Sequence, residues 1–248
     1  MVYIRSILFN IIFYGIWTPL ICLCLMPSLL LPRKGTAWVA ALYQSGALAL
    51  AKYVLNLDFE LRGIENRPPA GTPYLVASKH QSAFETLMLY RLFGDPTIIL
   101  KKELQSIPVF GWFLKKLEFI FIDRGNRSDA AQSLYEGAKK MREQKRPIII
   151  YPQGTRTGVD VAASEKPYKG GIVKLYNEVN LPILPIAINT GLYWPRNSFW
   201  KYSGKAIIEF LPLIPAGQPS DDLLKRLETS IENASQRLVT EGRATQNK

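Results

Sequence analysis

Residues 74–88 read Tyr74-Leu75-Val76-Ala77-Ser78-Lys79-His80-Gln81-Ser82-Ala83-Phe84-Glu85-Thr86-Leu87-Met88. The first four form an apolar run with the look of a buried strand. From Phe84 the apolar positions Phe84, Leu87, Met88 and Leu92 fall at helical spacing. Between them lies a short polar connection, so the stretch is a strand, a loop and a helix, the repeating unit of an α/β sheet. His80, the only histidine among the 248 residues, falls in that loop. On one continuous helix, residues five apart point about 140° away from each other. His80 and Glu85 therefore converge only if the histidine lies in the loop and the glutamate in the first helical turn. Ser82-Ala83-Phe84-Glu85 also has the form of a capping box, which by itself would account for Glu85. A histidine titrates near neutral pH, and a carboxylate beside it fixes its tautomer, so the same pair has the composition of a general base and its orienting partner.

Working outward, seven β-rich runs alternate with helical stretches: Leu57-Arg62, Tyr74-Ser78, Thr97-Leu100, Phe119-Ile122, Ile148-Tyr151, Ile183-Ile188 and Ala206-Phe210. Ser128 is placed to cap a helix running to about Glu143, with Ala131, Leu134, Ala138 and Met141 on one face. Ser220 is placed to cap a last amphipathic helix whose apolar face is Leu223, Leu224, Leu227, Ile231, Ala234 and Leu238. The expected fold is α/β, a mixed central sheet flanked by helices.

Ahead of this, residues 6–32 carry no charge and are flanked by Arg5 and by Arg33-Lys34; a second uncharged run covers 35–51. The first run is long enough to cross a bilayer. It lacks the short apolar core and small-residue cleavage site of a signal peptide, so it is expected to be retained. Two geometries stay open. One is a true span; the other is a helical pair that enters one leaflet and returns, with Pro19, Pro27 and Pro32 interrupting the first helix. Trp17 and Trp38 at the headgroup level favour the second. The expected organisation is a membrane-associated helical hairpin over residues 1–56 and a catalytic domain over 57–248.

A formal charge of +11 and a pI near 9.6 call for an anionic partner. Aromatic and basic residues are not interleaved as a nucleic-acid platform requires, so lipid surfaces and acidic carriers are preferred over nucleic acid. Cys22 and Cys24 both lie in the first apolar run, and one histidine elsewhere cannot complete a zinc site with them. No metal or cofactor is expected, and no Walker loop or dinucleotide fingerprint is present.

Polar groups follow the ends of other strands too: Lys101-Lys102-Glu103-Leu104, Asp123-Arg124 and Pro152-Gln153-Gly154-Thr155-Arg156. In open α/β sheets ligands bind beyond the carboxyl ends of strands. Guanidinium forks with a glycine that admits close backbone approach read as a phosphate cradle.

His80-x4-Glu85, Phe119-Ile120-Phe121-Ile122-Asp123-Arg124, Pro152-Gln153-Gly154-Thr155-Arg156 and Leu181-Pro182-Ile183-Leu184-Pro185-Ile186 occur in the order of four blocks of the glycerolipid acyltransferases. Residues 57–215 thus resemble that family, in particular its bacterial 1-acyl-glycerol-3-phosphate acyltransferases. The resemblance implies transfer of a fatty acyl group from acyl carrier protein or a coenzyme A thioester to the sn-2 hydroxyl of lysophosphatidic acid, giving phosphatidic acid for phospholipid synthesis. It implies His80 as base and Glu85 as its partner. Arg124, Gly154, Thr155 and Arg156 would bind the substrate phosphate, with Lys101 an addition. It further implies an N-terminal helical pair holding the enzyme to the cell inner membrane, the catalytic domain on the cytoplasmic face. Two positions depart from the family pattern: Glu85 replaces an aspartate, and Gln153 replaces the glutamate before Gly-Thr-Arg. The alternatives are a same-fold acyltransferase acting on another lyso-lipid, such as a lyso amino-acid lipid, and a non-catalytic basic lipid-binding membrane protein.

Overall fold

The computed structural model describes every residue except Met1, Arg124, Asn126, Asn247 and Lys248, and leaves the Arg127 side chain undescribed. The N-terminal apolar run folds as one unbroken helical rod, long and apolar enough to cross a membrane. It consists of α1 (Val2–Asn10), a π-helical stretch (Ile11–Trp17) and α2 (Thr18–Ser28). Pro32 lies beyond it as the N-cap of the next helix, and contrary to the one-leaflet expectation neither Pro27 nor Pro19 interrupts it. The Thr18 N–H donates to the Phe13 carbonyl, and this wider π turn takes up the ring that would otherwise strike the preceding turn. The chain reverses between Ser28 and Arg33 and returns as α3 (Arg33–Leu50) with a final π turn (Ala51–Leu55). Where the two arms cross, a Cβ on Gly46 would sit 2.0 Å from the Trp17 ring, and the indole N–H donates to the Tyr43 carbonyl at 3.2 Å. Only glycine permits that approach.

All seven expected strands form, with ends shifted by a residue or two: β1 (Leu57–Arg62), β2 (Leu75–Ser78), β3 (Thr97–Lys101), β4 (Ile120–Ile122), β5 (Ile148–Ile150), β6 (Ile183–Ile188) and β7 (Gly204–Phe210). They make one mixed sheet in the order β1-β7-β6-β2-β5-β3-β4. β2 through β6 run parallel to one another; β7 is antiparallel to β6, and β1 follows β7 in parallel. The helices of the second half are α4 (Phe84–Phe93), α5 (Phe110–Lys116), α6 (Arg127–Glu143), α7 (Gly171–Val179) and α8 (Leu223–Gln246).

The central strands are apolar on both faces because both faces are covered. Val76, Ile149, Leu184 and Ile186 pack into one layer with α4 and with Phe9, Phe13, Ala40 and Ala47 of the hairpin. Leu75, Ala77, Ile148, Ile150 and Ile183 pack into the other with α6, α7 and α8. The apolar face expected for α8 is buried at Leu223, Leu227, Ile231, Ala234 and Leu238, with Leu224 partly buried at its margin. On α6, Leu134, Ala138 and Met141 face the sheet, whereas Ala131 is exposed; the helix has rotated past it toward the β4 side, where Gly137 touches Ile120.

The hairpin shares its core with the sheet. Phe9 and Phe13 meet the Trp194 ring edge-on at 5.1 and 5.8 Å, and Trp194 lies over Phe84 at 6.2 Å. Ser6 and Asn10 bond the backbone of the β6–β7 connection at Lys201 and Phe199. Lys201 itself is 3% exposed. Its ammonium donates to the Phe199 carbonyl at 3.0 Å and rests over the rings of Trp194, Phe9 and Phe199. At the other arm, Arg33 makes a paired contact with Asp95 at 3.0 and 2.6 Å.

Candidate active site

Because β2 to β6 are parallel, their carboxyl ends line one edge of the sheet, and the polar residues singled out from the sequence follow those ends. His80 lies in the loop after β2 and Glu85 is the second residue of α4. Their separation across the helix start lets them meet: His80 Nδ1 and Glu85 Oε1 are 2.7 Å apart. The same oxygen accepts the backbone N–H groups of Gln81 at 3.0 Å and Ser82 at 2.9 Å, and Oε2 accepts the Thr190 hydroxyl at 2.7 Å. Ser82 Oγ in turn accepts the Phe84 N–H. The capping bonds and the histidine contact of Glu85 are therefore not alternatives: one carboxylate oxygen makes both. Glu85 is wholly buried, and four donors compensate that burial.

A carboxylate that receives this many donors fixes Nδ1 as the protonated nitrogen of the neutral imidazole, leaving the Nε2 lone pair to accept. The ring is held flat against Tyr151, centroids 3.9 Å apart and planes 18° apart. Burial above all, and then the Glu85 charge, push the Tyr151 phenol far above its ordinary value, against the opposing pull of the Thr86 bond and Arg156. Tyr151 thus stays a neutral platform and does not compete as a base.

The loop after β5 closes over the histidine. Thr157 donates its N–H to the His80 carbonyl at 2.8 Å. Gly154 sits at φ +71°, a left-handed conformation suited to glycine, and its N–H donates to the Tyr151 carbonyl. Arg156 is half-buried and its guanidinium makes no ion pair among the described residues, while its carbonyl accepts from Arg196. Gln153 is buried and its amide donates to the Lys166 carbonyl at 3.1 Å. A glutamate there has no proton to give, so the departure from Glu serves the loop's own hydrogen bonding.

Lys101, the last residue of β3, is exposed and pairs in register with Ile122. That places it beside the end of β4, where Asp123 accepts from Lys102 at 3.2 Å and from the Gly125 N–H. Arg124 lies outside the described residues. The structure therefore brings together His80, Glu85 and the 154–157 loop, with Lys101 on the same edge. Sequence reading missed Thr190, Thr157 and the Tyr151 stack. Thr190 was within reach of the strand-end argument, since Asn189-Thr190-Gly191 follows β6 as His80 follows β2. No group of His, Cys, Asp and Glu able to hold a metal occurs among the described residues.

A strand-end histidine backed by a buried carboxylate, facing a glycine-bent loop with a cation, is an arrangement for proton removal beside an anion. The profile of the acyltransferase family matches residues 58–189, more than half the chain. The chain is 36% identical over 170 residues to a 1-acyl-sn-glycerol-3-phosphate acyltransferase of Pseudomonas aeruginosa, covering 68% of this chain and 64% of that protein. It is 29% identical over 195 residues to the enzyme of the same name from Saccharomyces cerevisiae, covering 75% of this chain and 60% of that one. The chain thus spans just under two thirds of the length of these two relatives. In three dimensions it resembles the crystal structure of the 1-acyl-sn-glycerophosphate (LPA) acyltransferase from Thermotoga maritima, with a TM-score of 0.74, 25% identity, and 96% and 98% of the two chains covered. The chain belongs to the acyltransferase family, on a mixed α/β sheet.

Proposed function

We propose that this protein is an O-acyltransferase that moves a fatty acyl group from a carrier thioester to the sn-2 hydroxyl of 1-acyl-glycerol-3-phosphate, forming phosphatidic acid. The single observation that carries the reading is the His80–Glu85 contact at 2.7 Å on the carboxyl edge of the sheet, in a chain whose relatives bear that activity in their names.

His80 Nε2 takes the proton of the acceptor hydroxyl as its oxygen bonds to the thioester carbonyl carbon. The resulting tetrahedral oxyanion collapses, the C–S bond breaks, and the imidazolium returns the proton to the departing sulfur. Glu85 steadies the imidazolium between the two proton transfers. The transfer is direct: Ser78 and Ser82 are engaged with the backbone, the Thr157 hydroxyl reaches only the His80 carbonyl and Gln153, and both cysteines lie in α2, so among the described residues no hydroxyl or thiol is hydrogen-bonded to the His80 imidazole. Arg156 and Arg124 hold the acceptor phosphate, with the Gly154-Thr155 backbone and Lys101 around it. A placed base supplies about 10² to 10⁴ in rate, and gathering the two substrates supplies more.

The acyl donor is acyl carrier protein or coenzyme A thioester, both soluble and anionic, which suits the basic surface. Access to such donors calls for a catalytic face in the cytoplasm, with the hairpin in the cell inner membrane. The test is phosphatidic acid formation from labelled lysophosphatidic acid in purified membranes, with each donor in turn, comparing wild type and His80→Ala. The expected result is product that drops about 10² to 10⁴-fold in folded His80→Ala. Near-normal turnover in that variant removes the mechanism, and no product from folded wild type with either donor moves the acceptor to another lyso-lipid.

A further inference from the structure

The segment between β3 and β4 exposes three large apolar side chains that the chemistry does not use: Ile107 is 43%, Phe110 49% and Trp112 48% accessible. Lysines flank them along the chain, with the exposed Glu103 the one acidic residue of the stretch 101–116. Lys101, Lys102 and Lys115 are exposed and Lys116 is half-exposed; among the described residues only Lys102 has an ion-pair partner, Asp123. The backbone is constrained to present this set. Val109 adopts φ +64° and ψ −62°, and the Phe110 N–H donates to the Pro108 carbonyl at 2.7 Å. Together these make a γ-turn of the rare positive-φ kind. A β-branched residue with positive φ is an outlier, and such strain persists only where its surroundings hold it. Here they do, because a Cβ on Gly111 would lie 2.2 Å from the Gln105 carbonyl oxygen, so the turn is pressed tightly on the preceding one.

Two observations select the occupant. First, α5 packs against α3, and α3 exposes Trp38 and Leu42 while the hairpin tip exposes Leu30 at 90%. The patch thus continues the apolar surface of the hairpin. Second, an exposed indole and phenyl ring in a stretch with exposed lysines on both sides along the chain suit an interface of acyl chains and anionic headgroups, where aromatic side chains settle and each nearby cation adds attraction. We propose that segment 107–116 docks on an anionic bilayer surface as a second membrane contact, fixing the tilt of the sheet edge above the lipid. This rests on the membrane reading of the hairpin given above.

The test places an environment-sensitive fluorophore on the full-length chain, at Phe110→Cys or at Leu30→Cys, in a Cys22→Ser, Cys24→Ser background. Vesicles contain phosphatidylcholine with or without phosphatidylglycerol, plus lipids spin-labelled near the headgroup. The expected result is a blue shift and spin-label quenching at position 110 that strengthen with phosphatidylglycerol and weaken in Lys115→Gln, Lys116→Gln. A label at 110 that stays open to an aqueous quencher on either vesicle overturns the proposal. So does a response at 110 to acyl carrier protein that is absent with lipid, since it assigns the patch to a protein partner. The Leu30 label reports on the hairpin separately: water-exposed at 30 but lipid-quenched at 110 sinks the hairpin reading and leaves the patch standing. A second readout is kinetic. Phe110→Ser, Trp112→Ser should raise KM for acceptor presented in vesicles about tenfold, given the apolar area withdrawn from the interface, with kcat and the KM in detergent micelles unchanged. A vesicle KM for that variant equal to the wild-type vesicle KM also overturns it.

Discussion

Glu85 and Arg146 are both buried charges held by several hydrogen bonds, one at the start of α4 and the other just ahead of β5, and their difference separates a group left open to a partner from a clamp. Glu85 takes four donors, and one of them, His80, passes its remaining nitrogen outward; the His80 side chain keeps 17% of its surface open. Arg146 is 5% exposed and closes on itself. It donates to Glu118 and Gln144 at 3.1 Å, to the Asp95 carbonyl and carboxylate, and to the Leu117 carbonyl at 3.0 Å. Arg33 from the hairpin and Lys140 from α6 complete that network. A saturated charge cluster stores its energy in the fold. A cluster with one valence turned outward at strand ends is available for chemistry.

The sharpest way to break this contrast is Glu85→Gln, which keeps the shape and an acceptor for the Gln81 and Ser82 N–H groups but removes the charge behind His80. We expect turnover to fall by about 10² to 10⁴, as for loss of a working base, with the thermal transition nearly unmoved. A large loss of stability with normal kcat at saturation would make Glu85 a cap and nothing more. The mirror experiment is Arg146→Ala. Removing one partner of a buried ion pair commonly costs about 3–5 kcal/mol; with Arg33 and Lys140 still in place, about 3 kcal/mol is expected in denaturant titration. The kcat of the folded fraction should stay within about twofold, because a change of about 1.4 kcal/mol in barrier would already show as tenfold. A tenfold fall in kcat would mean that the clamp reaches the site.

Lys201 sharpens the comparison as a buried charge with no carboxylate partner among the described residues. Burial lowers its pKa to about 8. Between pH 8 and the ordinary lysine value the unfolded chain binds more protons than the folded one, so stability should rise with pH across that window and stay penalised below it. At roughly 1.4 kcal/mol per unit, and allowing for the ring and carbonyl contacts, the rise should be on the order of 1 to 3 kcal/mol. Lys201→Met should abolish it and be at least as stable as wild type at about pH 7. Parallel profiles for the two proteins from about pH 7 to 10 would show that the ammonium is compensated by something else.

Much of the sheet could be read from residues alone, because strand runs are local and the five parallel strands are apolar except at ends such as Ser78, Thr97 and Lys101. The placement of His80 and Glu85 followed from helical geometry and a capping pattern within eight residues. What escaped is what depends on pairing at long range. Its position past the end of β6 puts Thr190 on the right edge, but nothing in the sequence pairs its hydroxyl with a residue 105 positions away. Arg33, Asp95, Glu118 and Arg146 look like ordinary surface charges until the crossovers bring them together. The π-helical turn before Pro19 was missed for another reason: proline announces a lost hydrogen bond, not the way the backbone makes room for it. At Gln153 the lost charge was visible, while its buried bond to Lys166 was not.

The order of the sheet also has a consequence in time. β1 pairs only with β7, and 148 residues separate the end of one from the end of the other. At ribosomal speeds of about 5–20 residues per second, β1 waits roughly 7 to 30 s for its partner. Throughout that interval it follows directly on a hairpin that emerges first and is the more apolar part of the chain. The hairpin is therefore available to whatever it binds before the sheet can close, and the fold is completed from its N-terminal arm outward.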